Sequence, residues 1–241
     1  MSINQNRFQI LDMARGTAIM LMVGFHFCYD LVYFNLIELN IREDFLWTSL
    51  RNFIVSLFIF IAGISLYISS TRKTDFFAYL KKQKWLALFA LLISLITYPL
   101  FPESWIYFGV LHFILAARIF GFALKDFYGI NIVLGIITIW AGITLDNEIF
   151  NPKWINWLGF APQKPFTEDY VPLFPWFGVF LLGMCAGRLI FDPSAGLRIK
   201  NRTYSGFPAE TLSFAGRHSL SIYMVHQPVL MGLITVFTLL F

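Results

Sequence analysis

QILDMARGTAIMLMVGFHFCYDLVY, residues 9–33, is the stretch whose reading decides the fold. About 20 predominantly apolar residues in helical form cross the hydrocarbon core of a bilayer, and this run is long enough. It also carries four acidic or basic side chains: Asp12, Arg15, His26 and Asp30. A charge at the centre of a spanning helix costs roughly 2.5–3.5 kcal/mol on insertion scales, so such groups need a reason. At about 100° per residue, with Asp12 as zero, Arg15 falls near 300°, His26 near 320° and Asp30 near 0°. All four share one narrow face, and Ile19 and Met22 continue it between them. The stripe must face protein or water rather than lipid.

Outward from this helix, further apolar runs cover about 51–70, 85–101, 105–124, 130–146, 173–191 and 219–240. Between them lies turn chemistry: Pro99 and Pro102, Pro152, Pro162 and Pro165, Pro193 and Gly196, Gly206 and Pro208. The composition agrees. The chain is 58% hydrophobic and only 13% charged, against about 25% charged in soluble domains, so it cannot cover a water-facing surface. The expected fold is an all-α, polytopic membrane bundle of about seven transmembrane helices, one domain over residues 1–241. No cleavable signal is visible, and the first apolar run is expected to stay as an anchor. Trp47, Trp85, Trp105, Trp140, Trp154, Trp157 and Trp176 fall mostly near predicted helix ends, where an amphipathic ring suits the interface.

Loop charge sets the expected orientation. With the N-terminus inside, 14 of the 18 basic residues lie on the cytoplasmic side. These are Arg7, Arg15, Arg72, Lys73, Lys81, Lys82, Lys84, Arg118, Lys125, Arg188, Arg198, Lys200, Arg202 and Arg217. Only Arg42, Arg51, Lys153 and Lys164 fall outside, among Glu38, Glu43, Asp44, Glu103, Asp146, Glu148, Glu168 and Asp169. The expectation is N-in and C-out. The same asymmetry accounts for the net charge of +4 without nucleic acid.

The polar stripe has two readings. In one, Asp12–Arg15 and His26–Asp30 are ion pairs that anchor the two ends of the helix. In the other, Asp30 fixes the tautomer of His26 and raises its basicity, as a general base requires. Arg15 lies about 16 Å below His26 along the axis and offers a cation to phosphate. His112 in the fourth run reads first as an interhelical hydrogen-bond partner. His226 stands beside Pro228, which frees a backbone carbonyl, so structure and function compete there. Arg217 and His218 sit near the inner surface, where His218 is either a solvated flank or a contact to an anionic ligand. Arg51 at a helix end is explained by snorkelling. Gly183 to Gly187 form a small-residue motif for close helix packing. Cys28 and Cys185 are too few for a disulfide framework and lack metal spacing, as do the histidines. No Walker loop and no Gly-x-Ser-x-Gly elbow occurs. No metal site is expected.

Arg7 with Leu11-Asp12-Met13-Ala14-Arg15-Gly16-Thr17-Ala18 and His26 resembles the start of the catalytic domain of heparan-alpha-glucosaminide N-acetyltransferase and its bacterial relatives. The Arg15–His26 spacing is similar to that of membrane O-acyltransferases of bacterial surface glycans. Tyr107-Phe108-Gly109-Val110-Leu111-His112, Tyr170-Val171-Pro172-Leu173-Phe174-Pro175-Trp176-Phe177-Gly178 and Gly216-Arg217-His218-Ser219-Leu220, followed by Tyr223 and His226-Gln227-Pro228, extend the likeness over nearly the whole chain. The resemblance implies transfer of acetyl from cytoplasmic acetyl-CoA to an acceptor across the membrane, with a histidine at the centre. On it, His26 and Asp30 are the catalytic candidates, with His112, His226 and Trp176 behind them. Arg15, held by Asp12, would meet the CoA phosphates together with Arg217 and His218. The expected partners are the lipid bilayer, acyl-CoA and an extracytoplasmic glycan or amino-sugar acceptor, in a bacterial inner membrane. Nucleic acid is not expected, and the chain leaves room for a homo-oligomer. The competing reading is a small-molecule or anion transporter that uses the same stripe without catalysis, and a structural membrane partner is a third.

Overall fold

The structure, a computed structural model, describes residues 8–41, 43–70, 75–192 and 203–240. Arg7, Arg42, Arg72, Lys73, Arg198, Lys200 and Arg202 lie outside the described residues. Those that are described form α-helices and short 3-10 turns, with no strand among them. The helices are α1 (Gln9–Tyr33), α2 (Phe45–Ser70), α3 (Phe76–Lys82), α4 (Lys84–Leu100), α5 (Val110–Ala123), α6 (Tyr128–Thr144), α7 (Leu173–Phe191), α8 (Phe207–Arg217) and α9 (Ser219–Leu240).

Four of these, α1, α2, α7 and α9, are long and apolar enough to cross a membrane. The bent pair α3 and α4, broken by 48°, adds a fifth if it is one span. At 1.5 Å per residue the 17 residues of α6 reach about 25 Å and the 14 of α5 about 21 Å, short of a core about 30 Å thick. The expected run from 105 begins as helix only at Val110. Residues before it are held in non-helical backbone by other partners. The Ile106 amide donates to Thr97 Oγ1 (3.0 Å), the Trp105 carbonyl accepts from Thr167 Oγ1 (2.9 Å), and the Ser104 carbonyl accepts from the Glu168 amide (2.9 Å). Backbone satisfied in this way need not be helical.

The chain divides into two compact units, Met1–Phe58 with Lys200–Phe241, and Ile59–Ile199. In the first, α1 packs on α8 and α9. Its core is Ile19, Met22, Ile54 and Ala215, with Phe58, Ile222 and Tyr223 against it. The α1–α8 crossing depends on two glycines. A Cβ at Gly16 would collide with the Leu212 carbonyl, and one at Gly216 with the Asp12 carbonyl, so the two backbones touch. Sequence reading missed α8, because its 11 residues are too few to span and too mixed to read as an apolar run. Its signals are local: Pro208 at the start, Glu210 in the first turn, Arg217 in the last, and a small inward face of Ala209, Ser213, Ala215 and Gly216.

In the second unit α6 and α5 pack on α7, and α4 on α5. The Gly183/Gly187 motif works as packing: a Cβ at Gly183 would strike the Phe60 carbonyl, and Gly187 lies against Ile64 and Tyr67. Cys28 and Cys185 are free thiols.

Candidate functional site

The ionisable stripe of α1 faces inward. Asp12 is 3% exposed and Asp30 1%, while Ile19 and Met22 between them are buried. Near the helix start, Arg15 Nη1 donates to Asp12 Oδ1 at 2.8 Å. Arg15 itself is half-buried, and Asp12 stands where Gly216 of α8 crosses. The next residues, Arg217 and His218, are exposed. His218 Nδ1 donates to the Phe214 carbonyl (3.0 Å) and its ring covers Phe214. That helix-end bond is a local use of the side chain.

Toward the C-terminal end of α1, two histidines meet. The ring of His26 stands edge-on to that of His226 on α9, centroids 5.0 Å apart. His226 Nδ1 is 2.6 Å from the Tyr223 carbonyl. A carbonyl only accepts, so Nδ1 carries the proton and, in the neutral ring, Nε2 is the basic nitrogen. Asp30 does not serve His26 as its spacing suggests. Its Oδ1 accepts from Gln227 Nε2 at 2.7 Å, so the carboxylate ties α1 to α9 instead. His26 Nδ1, Asp30 Oδ2 and Gln227 Oε1 are buried and make no hydrogen bond within the protein. An unsatisfied buried polar atom costs about 1–3 kcal/mol, so each of the three calls for a partner from outside the protein or a role. Gln227 is the residue that sequence reasoning did not single out. Its signal was its place between His226 and Pro228, where a helix already gives up a backbone bond.

His112 and Trp176 belong to the second unit. Both nitrogens of His112 are occupied. The Gly109 amide donates to its Nδ1 (3.3 Å), so Nε2 carries the proton and donates to Ser94 Oγ (3.0 Å), which in turn donates to the Ile106 carbonyl (2.7 Å). Asp169 Oδ2 accepts from the Val110 amide beside it (2.8 Å). The residue caps the start of α5 and ties it to α4, a structural role of the kind its lone position suggests. Trp176 sits half-buried in the first turns of α7. Nearby, Tyr170 donates to the Asn156 carbonyl (2.7 Å), and burial pushes its phenol pKa up. Among the described residues no three His, Cys, Asp or Glu side chains gather into a group able to hold a metal.

Helices long and apolar enough to cross a membrane, two of which bring together two half-buried histidines, a buried carboxylate and an amide, define a polytopic membrane protein with a polar site between α1 and α9. More particularly, the chain belongs to the heparan-alpha-glucosaminide N-acetyltransferase catalytic family, whose model matches residues 7–228 and so runs through both units to Pro228. That is a family of transmembrane acetyltransferases. No curated protein and no solved structure matches the chain.

Proposed function

We propose that the chain is a membrane acyltransferase that moves an acetyl or other acyl group from cytoplasmic acyl-CoA to an extracytoplasmic glycan or amino-sugar acceptor. The observation that carries this reading is the meeting of His26, His226, Asp30 and Gln227 between α1 and α9, in a chain of an acetyltransferase family. The stretch from α1 to α9 acts as one domain of seven spans in a bacterial inner membrane, with α3 and α4 together as the third span, the short α5 and α6 accommodated by local thinning of the bilayer, and α8 at the inner surface. The charge bias of the loops supports N-in and C-out.

The CoA phosphates meet Arg15, oriented by Asp12, with Arg217 and His218 at the same cytoplasmic end. His26 takes the proton from the acceptor hydroxyl or amine as that group attacks the thioester carbonyl. The carbon–sulfur bond breaks and CoA leaves as the thiolate. Next to His26, the proton on His226 Nδ1 is committed to Tyr223, which turns the basic edge of that second ring toward the site. Asp30 and Gln227 hold α1 and α9 in register.

The test is acetyl-CoA turnover by purified protein with the His26→Ala variant, beside a thermal-shift titration with acetyl-CoA. A ligand that binds only the native state raises apparent stability by mass action. Loss of a general base lowers the rate about 10²–10⁴-fold, so turnover should vanish while acetyl-CoA still stabilises the variant. Near wild-type turnover in His26→Ala would remove His26 from the chemistry. Wild-type protein that binds acetyl-CoA without consuming it, in the presence of acceptors, would refute acyl transfer.

A further inference from the structure

Asp30 poses an electrostatic problem that its hydrogen bond does not solve. The residue is 1% exposed and stands in the last turn of α1, a helix long and apolar enough to cross a membrane. Gln227 Nε2 donates to its Oδ1 at 2.7 Å. That donor is neutral and leaves the charge in place. Among the described residues no Lys, Arg or His forms an ion pair with Asp30, Arg51 of the same unit included. Arg15 is bonded to Asp12, about 22 Å back along the helix axis. The end of α1 adds to the problem. The negative end of the helix dipole lies here, and the last turn carries no basic residue. A buried carboxylate in this setting needs a positive partner.

The neighbouring atoms say what kind of partner this is. Asp30 Oδ2 and Gln227 Oε1 are both buried and make no hydrogen bond within the protein. Each is the second polar atom of a group already fixed by the Asp30–Gln227 bond, one on α1 and one on α9. A carboxylate oxygen and an amide oxygen are both acceptors and cannot satisfy each other. Oxygen ligands suit hard cations. One carboxylate balances one positive charge, so a divalent ion would leave a net charge buried. The carbonyl end of a helix is a recurrent place for monovalent ions in membrane proteins.

We propose that Asp30 Oδ2 and Gln227 Oε1 bind an alkali cation, Na+ or K+, that bridges α1 and α9 one turn from His26. The inference goes beyond acyl transfer and does not depend on it. The test melts purified full-length wild type, Asp30→Asn and Asp126→Asn in detergent while NaCl or KCl replaces choline chloride at constant ionic strength. Na+ or K+ should raise the melting temperature of wild type by about 3–6 °C at ten times its Kd, because a ligand of the native state stabilises by mass action. Asp126→Asn removes an exposed carboxylate of the other unit and should keep that response. Asp30→Asn retains an oxygen for Gln227 and should melt without regard to either ion. A second measurement needs no variant: carbodiimide labelling of Asp30 in wild type, read by mass spectrometry. At ten times its Kd the same cation should slow labelling about tenfold, and choline should not. Equal melting in the three chlorides, a response that survives Asp30→Asn, or labelling that ignores both cations overturns the proposal. So does melting that ignores both cations and rises on acidification, which would put a proton on the carboxylate in the cation's place. Acetyl-CoA turnover by a protein indifferent to both cations refutes this site and leaves acyl transfer standing. A cation response lost in Asp30→Asn, without turnover by wild type, does the reverse.

Discussion

The bond between Asp30 and Gln227 allows a quantitative test of how the site is built. Asp30 is 1% exposed and its described hydrogen bond is the 2.7 Å contact from Gln227 Nε2, across 197 positions of sequence. Gln227→Leu removes the donor and strands the carboxylate in the interior. A hydrogen bond to a charged group contributes about 1.5–3 kcal/mol, and the stranded partner keeps its desolvation cost. For a chain of this size each kcal/mol shifts the melting temperature by about 2–4 °C, so the variant should melt roughly 3–12 °C lower. Asp30→Leu should fall by a similar amount, because it strands Gln227. The double variant Asp30→Leu/Gln227→Leu should be more stable than either single one, since removing both partners leaves nothing unsatisfied. Asp30→Asn keeps an oxygen that can accept from Gln227 and should lose the least. The assay is a double-mutant cycle by thermal or denaturant unfolding in detergent, with a coupling energy above about 1 kcal/mol expected for residues in contact. Additive single effects, with the double variant the least stable of the set, would refute the pairing and return Asp30 to the role of orienting His26.

Three further outcomes are expected. Gly216→Ala or Gly16→Ala should prevent folding or cost more than about 3 kcal/mol, because each Cβ meets backbone that cannot step aside; Gly24→Ala, with nothing within 4 Å, should gain about 0.5–1 kcal/mol by helix propensity. Expression and melting of the three variants check this, and equal behaviour would refute the α1–α8 contact. His112→Ala should lower stability by about 1–3 kcal/mol through the orphaned Gly109 amide, since Ser94 keeps its bond to the Ile106 carbonyl, while acetyl-CoA still stabilises the variant; loss of turnover without loss of stability would give His112 a chemical role instead. Cysteine labelling of intact cells from outside should reach a residue near Glu168 and not one near Lys81; labelling at Lys81 would invert the orientation.

Much of this architecture is legible in local sequence. The runs expected at 9–33, 173–191 and 219–240 match α1, α7 and α9 to within a residue, because in lipid an apolar segment must satisfy its own backbone and so becomes helix where it stands. The inward face of α1 follows from the same logic, since Asp12, Arg15, His26 and Asp30 share one side and charge does not face lipid. The Asp12–Arg15 bond is legible too, as both partners lie within one turn. Sequence spacing was misleading where it offered Asp30 to His26. A carboxylate one turn from a histidine is near enough, but Gln227 approaches from α9 and takes the bond. Spacing along one helix cannot register a competitor that arrives from another. The His26–His226 contact, the tautomer that Tyr223 imposes on His226, and the short helix α8 wedged on α1 through Gly16 and Gly216 were decided by tertiary structure for the same reason. Hydrophobicity says where a helix runs, and only packing says which side chains it meets.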